Sequence, residues 1–278
     1  MAPNARQTVL QMMEKLRGMA YDAVIFDLDE TLMPEQSAVK AAFEEACRPA
    51  VVRHGLDAAG LAEAFRRHGR QLWQASPSYP WCMKIGISSW EGLCGDFSGD
   101  GDELAALREW IEQSRFRATA WQHALGEFGV EDRPLARRLA DSLVDVRNRH
   151  HSAYPEAEGV LRALQGPRRL GLLTNGAPRV QRGKLEAVGL EKYFHSIIVS
   201  GEVGIGKPAP EIFAIMLDRL GAKAGDAAMI GDGLERDIAG ANGAGIHSIW
   251  VNRAGEPLRN GITPDHQVAD LTGVLNLL

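Results

Sequence analysis

From Tyr154 to the C-terminus, short aliphatic runs alternate with segments of helical periodicity. The runs Leu170–Thr174 (LGLLT), Ser196–Ser200 (SIIVS), Ala227–Gly231 (AAMIG) and His247–Val251 (HSIWV) predict strands, and a weaker one is expected near His266–Ala269. Glu156–Leu164, Arg179–Val188, Glu211–Leu220 and Glu235–Ala244 predict helices between them. Near-continuous apolar strands alternating with helices point to a parallel sheet covered on both faces. Tyr21–Leu28 has the same texture, with Val24, Ile25 and Phe26 consecutive and apolar, and belongs with them.

The stretch between the first strand and Tyr154 differs. Val39–Val52, Leu61–Trp73, Glu103–Ile111, Ala118–Phe128 and Pro134–Val146 read as helices, and little there resembles a strand. Five of the six tryptophans, Trp73, Trp81, Trp90, Trp110 and Trp121, fall in it. The expected fold is therefore α/β: a doubly wound parallel-sheet core formed by residues 1–33 and 151–278, with an all-helical domain, 34–150, inserted after the first strand. Pro34 and Pro155 punctuate the two junctions. Residues 74–102, rich in Gly, Ser, Pro and aromatics, have no clean period and are expected to be irregular, as functional or mobile loops are. Residues 5–17 place Val9, Met13 and Leu16 on one face of an expected helix that packs on the core.

Composition narrows the class. The 278 residues are 45% hydrophobic and 24% charged, with a formal charge of −5, as in an ordinary soluble globular protein. Residues 34–150 hold 15 Lys/Arg against 17 Asp/Glu, so no basic stripe favours nucleic acid. Cys47, Cys82 and Cys94 are few, odd in number and widely spaced, which fits a reduced cytoplasm better than a disulfide framework. No stretch approaches the roughly 18 apolar residues of a membrane span, and the N-terminus does not read as a signal peptide.

Ligands of doubly wound sheets bind outside the carboxyl ends of the strands, and those ends carry the chemistry here. The first strand runs into Asp27 and Asp29, two carboxylates two residues apart, where like charges need a cation or a shared proton. LGLLT delivers Thr174 and leads to Asn175; SIIVS leads to Lys207; AAMIG leads to Asp232, with Asp237 five residues later. Each has a plain structural reading: DLDET as a helix cap, TNG as a turn. GIGKP fails as a phosphate loop, because Pro follows the lysine and the first glycine is missing, and GDGLERDIAGANGAG fails as a dinucleotide fingerprint. Four strands supplying one rim form a constellation.

In order, DLDET, LLTNG, GKPAPEIF and IGDGLERDI resemble the four motifs of the haloacid dehalogenase superfamily, over about residues 21–33 and 154–252. The inserted helices resemble, by position and texture, the cap of subfamily I. Asp29 separates the branches. Dehalogenases lack an acid two residues after the nucleophile, P-type ATPases carry Thr there, and phosphonatase-like members lack the acid and use a cap lysine. The resemblance therefore implies a phosphatase or phosphomutase. It makes Asp27 the nucleophile, phosphorylated in an aspartyl-phosphate intermediate, and Asp29 the acid and base. It implies Mg²⁺, held by the Asp27 and Asp232 carboxylates and the Asp29 carbonyl. Asp237 would hold a metal-bound water or pair with Lys207. Thr174, Lys207 and backbone N–H groups near Leu28 and Asn175 would hold the phosphoryl oxygens.

Gly233 and Arg236 stand where Ser and Asn are frequent in motif four, and neither change removes an oxygen ligand. Arg236 is a candidate to reach an anionic substrate, with a solvated helix surface the simpler reading. Within the insert, Lys84, Arg115 and Arg117 are candidates to meet a second anionic group, and Trp81 and Trp90 to stack on a base or sugar; solvated cations and a tryptophan core are the simpler readings. His150 and His151 are expected at the surface. SGEVGIGKPAPEIF resembles the branch holding N-acylneuraminate-9-phosphatases and pyrimidine 5′-nucleotidases, which favours a sugar phosphate or nucleoside monophosphate, a small-molecule phosphomonoester in either case. A phosphomutase of the same fold and a non-catalytic binding protein remain the alternatives.

Overall fold

Val24, Ile25 and Phe26 lie wholly buried in β1 (Ala23–Phe26), at the heart of a six-stranded sheet. The computed structural model describes residues 21–99 and 101–278, so the helix expected at 5–17 lies outside the described residues. Eight helices follow β1 among those residues: α1 (Glu35–Ala46), α2 (Arg48–His54), α3 (Ala58–Gln74), α4 (Tyr79–Ile85), α5 (Ser89–Cys94), α6 (Asp102–Gln113), α7 (Phe116–Glu127) and α8 (Arg133–Asn148). Then come α9 (Ala157–Leu164), β2 (Arg169–Thr174), α10 (Pro178–Ala187), β3 (Ser196–Val199), α11 (Ser200–Val203), α12 (Pro210–Leu220) and β4 (Ala227–Gly231). A π-helical turn (Leu234–Ile238) leads into α13 (Ala239–Gly243), and β5 (His247–Val251) and β6 (His266–Val268) complete the sheet.

The strand order is β3-β2-β1-β4-β5-β6, and every pairing is parallel. The order reverses between β1 and β4, and the crevice at such a switch point is where this architecture binds ligands. Successive side chains of a strand face opposite ways, and both faces here are covered. Val24, Phe26, Leu170, Leu172, Ala228 and Ile230 pack with α9 on one side. Ala23, Ile25, Leu173, Ile198 and Met229 pack with α12 on the other. The helices between β1 and α9 build their own apolar cluster, in which Phe65 stacks on Trp121 with ring centroids 3.8 Å apart and Phe43 packs on Trp90.

Two elements depart from the sequence pattern. The helix predicted over Val39–Val52 is two helices that meet at Cys47, because Pro49, in the first turn of α2, has no N–H to donate and would clash with a carbonyl of a continuous helix. Residues 74–102 are not wholly irregular: α4 and α5 lie within them. No helix among the described residues is long and apolar enough to cross a membrane.

Candidate active site

Asp27 follows β1 at the switch point, and its N–H donates to the Ile230 carbonyl at 2.9 Å, which locks it beside the end of β4. Its side chain meets the buried Lys207 ammonium at 2.5 Å. The same ammonium lies 2.7 Å from Asp237 Oδ1, so one cation bridges two carboxylates. Burial alone would strip the charge from Lys207, but Asp237 and Asp27 outweigh it and lift its pKa above the ordinary lysine value. Asn175 fixes the lysine's backbone: its Oδ1 accepts the Lys207 N–H at 2.8 Å and its Nδ2 donates to the Lys207 carbonyl at 2.9 Å. The Asn175 side chain is thereby committed to positioning Lys207, which leaves only its backbone for a ligand.

Asp237 turns back on the loop that carries Asp232, and its Oδ2 accepts the Gly233 N–H at 2.9 Å. That approach needs Gly231, where a Cβ would stand 2.3 Å from Asp237 Oδ2. Asp232 is held by three contacts from two residues: its N–H donates to the Thr31 hydroxyl at 3.1 Å, Thr31 Oγ1 reaches its Oδ1 at 3.5 Å, and Trp250 Nε1 donates to its carbonyl at 2.8 Å. Carboxylate oxygens of Asp27, Asp232 and Asp237 lie within 4.8 Å of one another. Burial raises the Asp27 carboxyl to about 7 although Lys207 opposes it, and burial with the Asp27 and Asp237 charges raises Asp232 to about 9. Three hard oxygen donors this close, two of them reluctant to ionise with one lysine for company, fit a small divalent cation such as Mg²⁺.

Asp29 stands apart from this cluster. Lys184 Nζ lies 3.0 and 2.9 Å from its two carboxylate oxygens, and Gln181 Nε2 donates to Oδ2 at 3.1 Å. Each aspartate of the DLDET motif thus has its own buried lysine. Asp27, Asp29, Thr174, Asn175, Lys207, Asp232 and Asp237 all line one cavity of about 420 Å³.

A sequence model of haloacid dehalogenase-like hydrolases matches residues 21–245. The chain belongs to the haloacid dehalogenase-like hydrolase family. Over 252 residues it is 37% identical to a phosphoserine phosphatase of Thermus thermophilus, covering 90% of this chain and 96% of that one. It is 36% identical over 166 residues to the N-acylneuraminate-9-phosphatase of Rattus norvegicus, covering 58% and 67% respectively. In structure it resembles the magnesium-bound HAD-hydrolase YfnB of Bacillus subtilis, with a TM-score of 0.65 at 22% identity, over 93% of this chain and 98% of that one.

Residues outside the four motifs of this hydrolase divide in two. Lys84, Arg115 and Arg117, the candidates for a second anionic group, do not line the Asp27 cavity: Lys84 and Arg115 are exposed, and Arg117 donates to the Gly95 carbonyl. Trp90, half-buried, packs between Phe43 and the Arg66 guanidinium at the edge of the apolar cluster. Arg236 is exposed as expected, but it lines the cavity. The histidines are half-buried rather than at the surface, because His150 pairs with Glu45 and His151 packs against Arg147. Gln181, Lys184 and Glu35 escaped the sequence reading. The signal was Q-x-x-K three residues apart in α10, one polar face that shares its burial with Leu185.

Proposed function

We propose that this hydrolase is a Mg²⁺-dependent phosphatase of small phosphomonoesters that works through an aspartyl-phosphate on Asp27. The observation that carries the reading is the buried Asp27–Lys207–Asp237 bridge at the β1/β4 switch point, open to a cavity that also presents Asp29 and Thr174. The phosphatase relatives support the reaction class, and the phosphoserine phosphatase, which spans most of the chain, adds phosphorylated amino acids to the sugar and nucleoside phosphates favoured by the third motif.

An Asp27 carboxylate oxygen attacks phosphorus and the ester P–O bond breaks, which divides one displacement into two easier ones. The departing alkoxide takes its proton from Asp29. Asp29, now a carboxylate, accepts a proton from the incoming water; the water oxygen bonds to phosphorus, the P–O bond to Asp27 breaks, and phosphate leaves. The Lys207 ammonium, the Thr174 hydroxyl and backbone N–H groups near Leu28 and Asn175 hold the phosphoryl oxygens and the charge they gather. Asp27 and Asp232 would hold Mg²⁺ by their carboxylates and Asp29 by its carbonyl; when bound, the ion supplies positive charge beside the phosphoryl group. Asp237 acts by keeping Lys207 charged and aimed.

Residues 34–150 we read as a cap domain over this site. Its separate apolar cluster supports that division, as do its contacts at the rim: the Ser200 hydroxyl donates to the Ile85 carbonyl, and Glu91 accepts the Ala177 N–H at 3.0 Å.

Phosphate release from O-phosphoserine, sugar phosphates and nucleoside monophosphates, with Mg²⁺ and with EDTA, tests the proposal. Release is expected only with Mg²⁺, and Asp27→Asn is expected to lower it by about 10⁴-fold or more. Equal release in EDTA would remove the metal from the reading, and release by Asp27→Asn would remove the nucleophile.

A further inference from the structure

Lys184 is one of the most deeply buried charges in the molecule, 2% exposed, and the chemistry above gives it no part. A lysine taken out of water must be compensated. Its compensation is the Asp29 carboxylate, gripped through both oxygens, and Glu35 Oε1 at 3.1 Å. Glu35 is held in turn by Arg147, itself buried, whose Nη1 contacts His151 Nδ1 at 3.2 Å. Gln181, one turn before Lys184, donates to Asp29 Oδ2 and also to the Asn175 carbonyl at 2.6 Å. Turning its amide over would lose both bonds, so its orientation is fixed. Three donor contacts from α10 therefore grip the Asp29 carboxylate, whose side chain remains 29% exposed and lines the cavity shared with Asp27.

We infer that Lys184 and Gln181 are positioning residues that fix the Asp29 carboxylate for proton exchange with the leaving-group oxygen. The inference rests on the proposed role of Asp29. Burying a lysine and a glutamine on one helix face only to cover a strand end would be a poor use of that face, since apolar residues of similar volume pack there as well or better. The arrangement makes sense where a carboxylate must meet a reacting oxygen in one geometry, because small misplacements of a reacting group are costly.

The test is the dependence of kcat/KM on the leaving group. p-Nitrophenolate departs without a proton, whereas phenolate and above all the serine alkoxide need one. Wild type, Lys184→Met and Gln181→Met are assayed with p-nitrophenyl phosphate, phenyl phosphate and O-phosphoserine, each folded protein being verified by circular dichroism. Lys184→Met is expected to lose about 10²-fold on O-phosphoserine, less on phenyl phosphate and under about threefold on p-nitrophenyl phosphate. Gln181→Met, which keeps the buried charge balance, is expected to show the same gradient at about 10-fold, so the inference stays testable where Lys184→Met does not fold. Lys184→Arg is expected to recover part of the O-phosphoserine loss. Equal losses on all three esters in a folded variant, with wild type active and Asp27→Asn inactive, would overturn the positioning role alone. Absence of phosphate release by wild type from all three would overturn the phosphatase reading and this inference with it.

Discussion

At the residue scale the site is an arrangement of two lysines among carboxylates. Lys207 bridges Asp27 and Asp237, and Lys184 bridges Asp29 and Glu35. Removing one partner of such a group leaves buried charge without compensation. Lys207→Met is therefore expected to lower the unfolding free energy by about 3–5 kcal/mol, read from urea denaturation; an unchanged midpoint would show that the bridge does not hold the fold. Lys207 was legible in the sequence because it follows a predicted strand with three other polar strand ends in view. Lys184 was not. Within a helix, Q-x-x-K reads as a solvated face, and only the packing of α10 against the β1 end shows that Gln181, Lys184 and Leu185 point inward.

At the scale of elements, the strands were read within a residue or two of their limits, because a sheet buried on both faces writes long apolar runs. Residues 74–102 were opaque for a physical reason. α4 and α5 have seven and six residues, too short for a periodic signal and below the length at which an isolated helix persists. Their order comes from contacts distant in sequence: a Cβ at Gly69 would stand 2.5 Å from Leu93 Cδ1, and one at Gly92 2.5 Å from the Trp73 ring. Gly92→Ala is accordingly expected to cost about 1–3 kcal/mol by overpacking, again measured by denaturation.

The α5 start has a capping box. Ser88 Oγ accepts the Glu91 N–H at 3.3 Å, and Glu91 Oε2 accepts the Ser88 N–H at 2.9 Å. Burial raises the Glu91 carboxyl to about 7 against the influence of Lys184 and the two N–H groups it accepts from. The folded form thus binds a proton more tightly than the unfolded chain, whose glutamate titrates near 4.5. This contribution to stability is full below pH 4.5 and is lost as pH rises through 7. The melting temperature of wild type relative to Glu91→Gln is therefore expected to fall between pH 5 and 8; a difference independent of pH would contradict the raised value.

At the scale of the molecule, the four motifs lie at four strand ends, and the switch between β1 and β4 brings their side chains to one 420 Å³ cavity. That convergence could be read from the sequence, since a parallel sheet puts the strand ends that carry the motifs on one rim; the strand order could not. The run of helices after β1 was legible but not its use: the cations it offered for a substrate lie away from the cavity, whereas Glu35 at its start pairs with Lys184 and Arg147 near its end pairs with Glu35. Junction residues carry no periodicity of their own, so their pairing becomes visible only when the insert is seated on the sheet.

The central claim is a covalent phosphoryl group on Asp27. Rapid-quench mass spectrometry, during a single turnover of p-nitrophenyl phosphate with Mg²⁺, tests it directly. The expected result is a transient phosphoryl adduct on the peptide containing Asp27, formed as p-nitrophenolate appears, decaying as phosphate appears and absent in Asp27→Asn. Matched release of p-nitrophenolate and phosphate with no adduct at any time, and an Asp27→Asn variant that still turns over, would contradict the account.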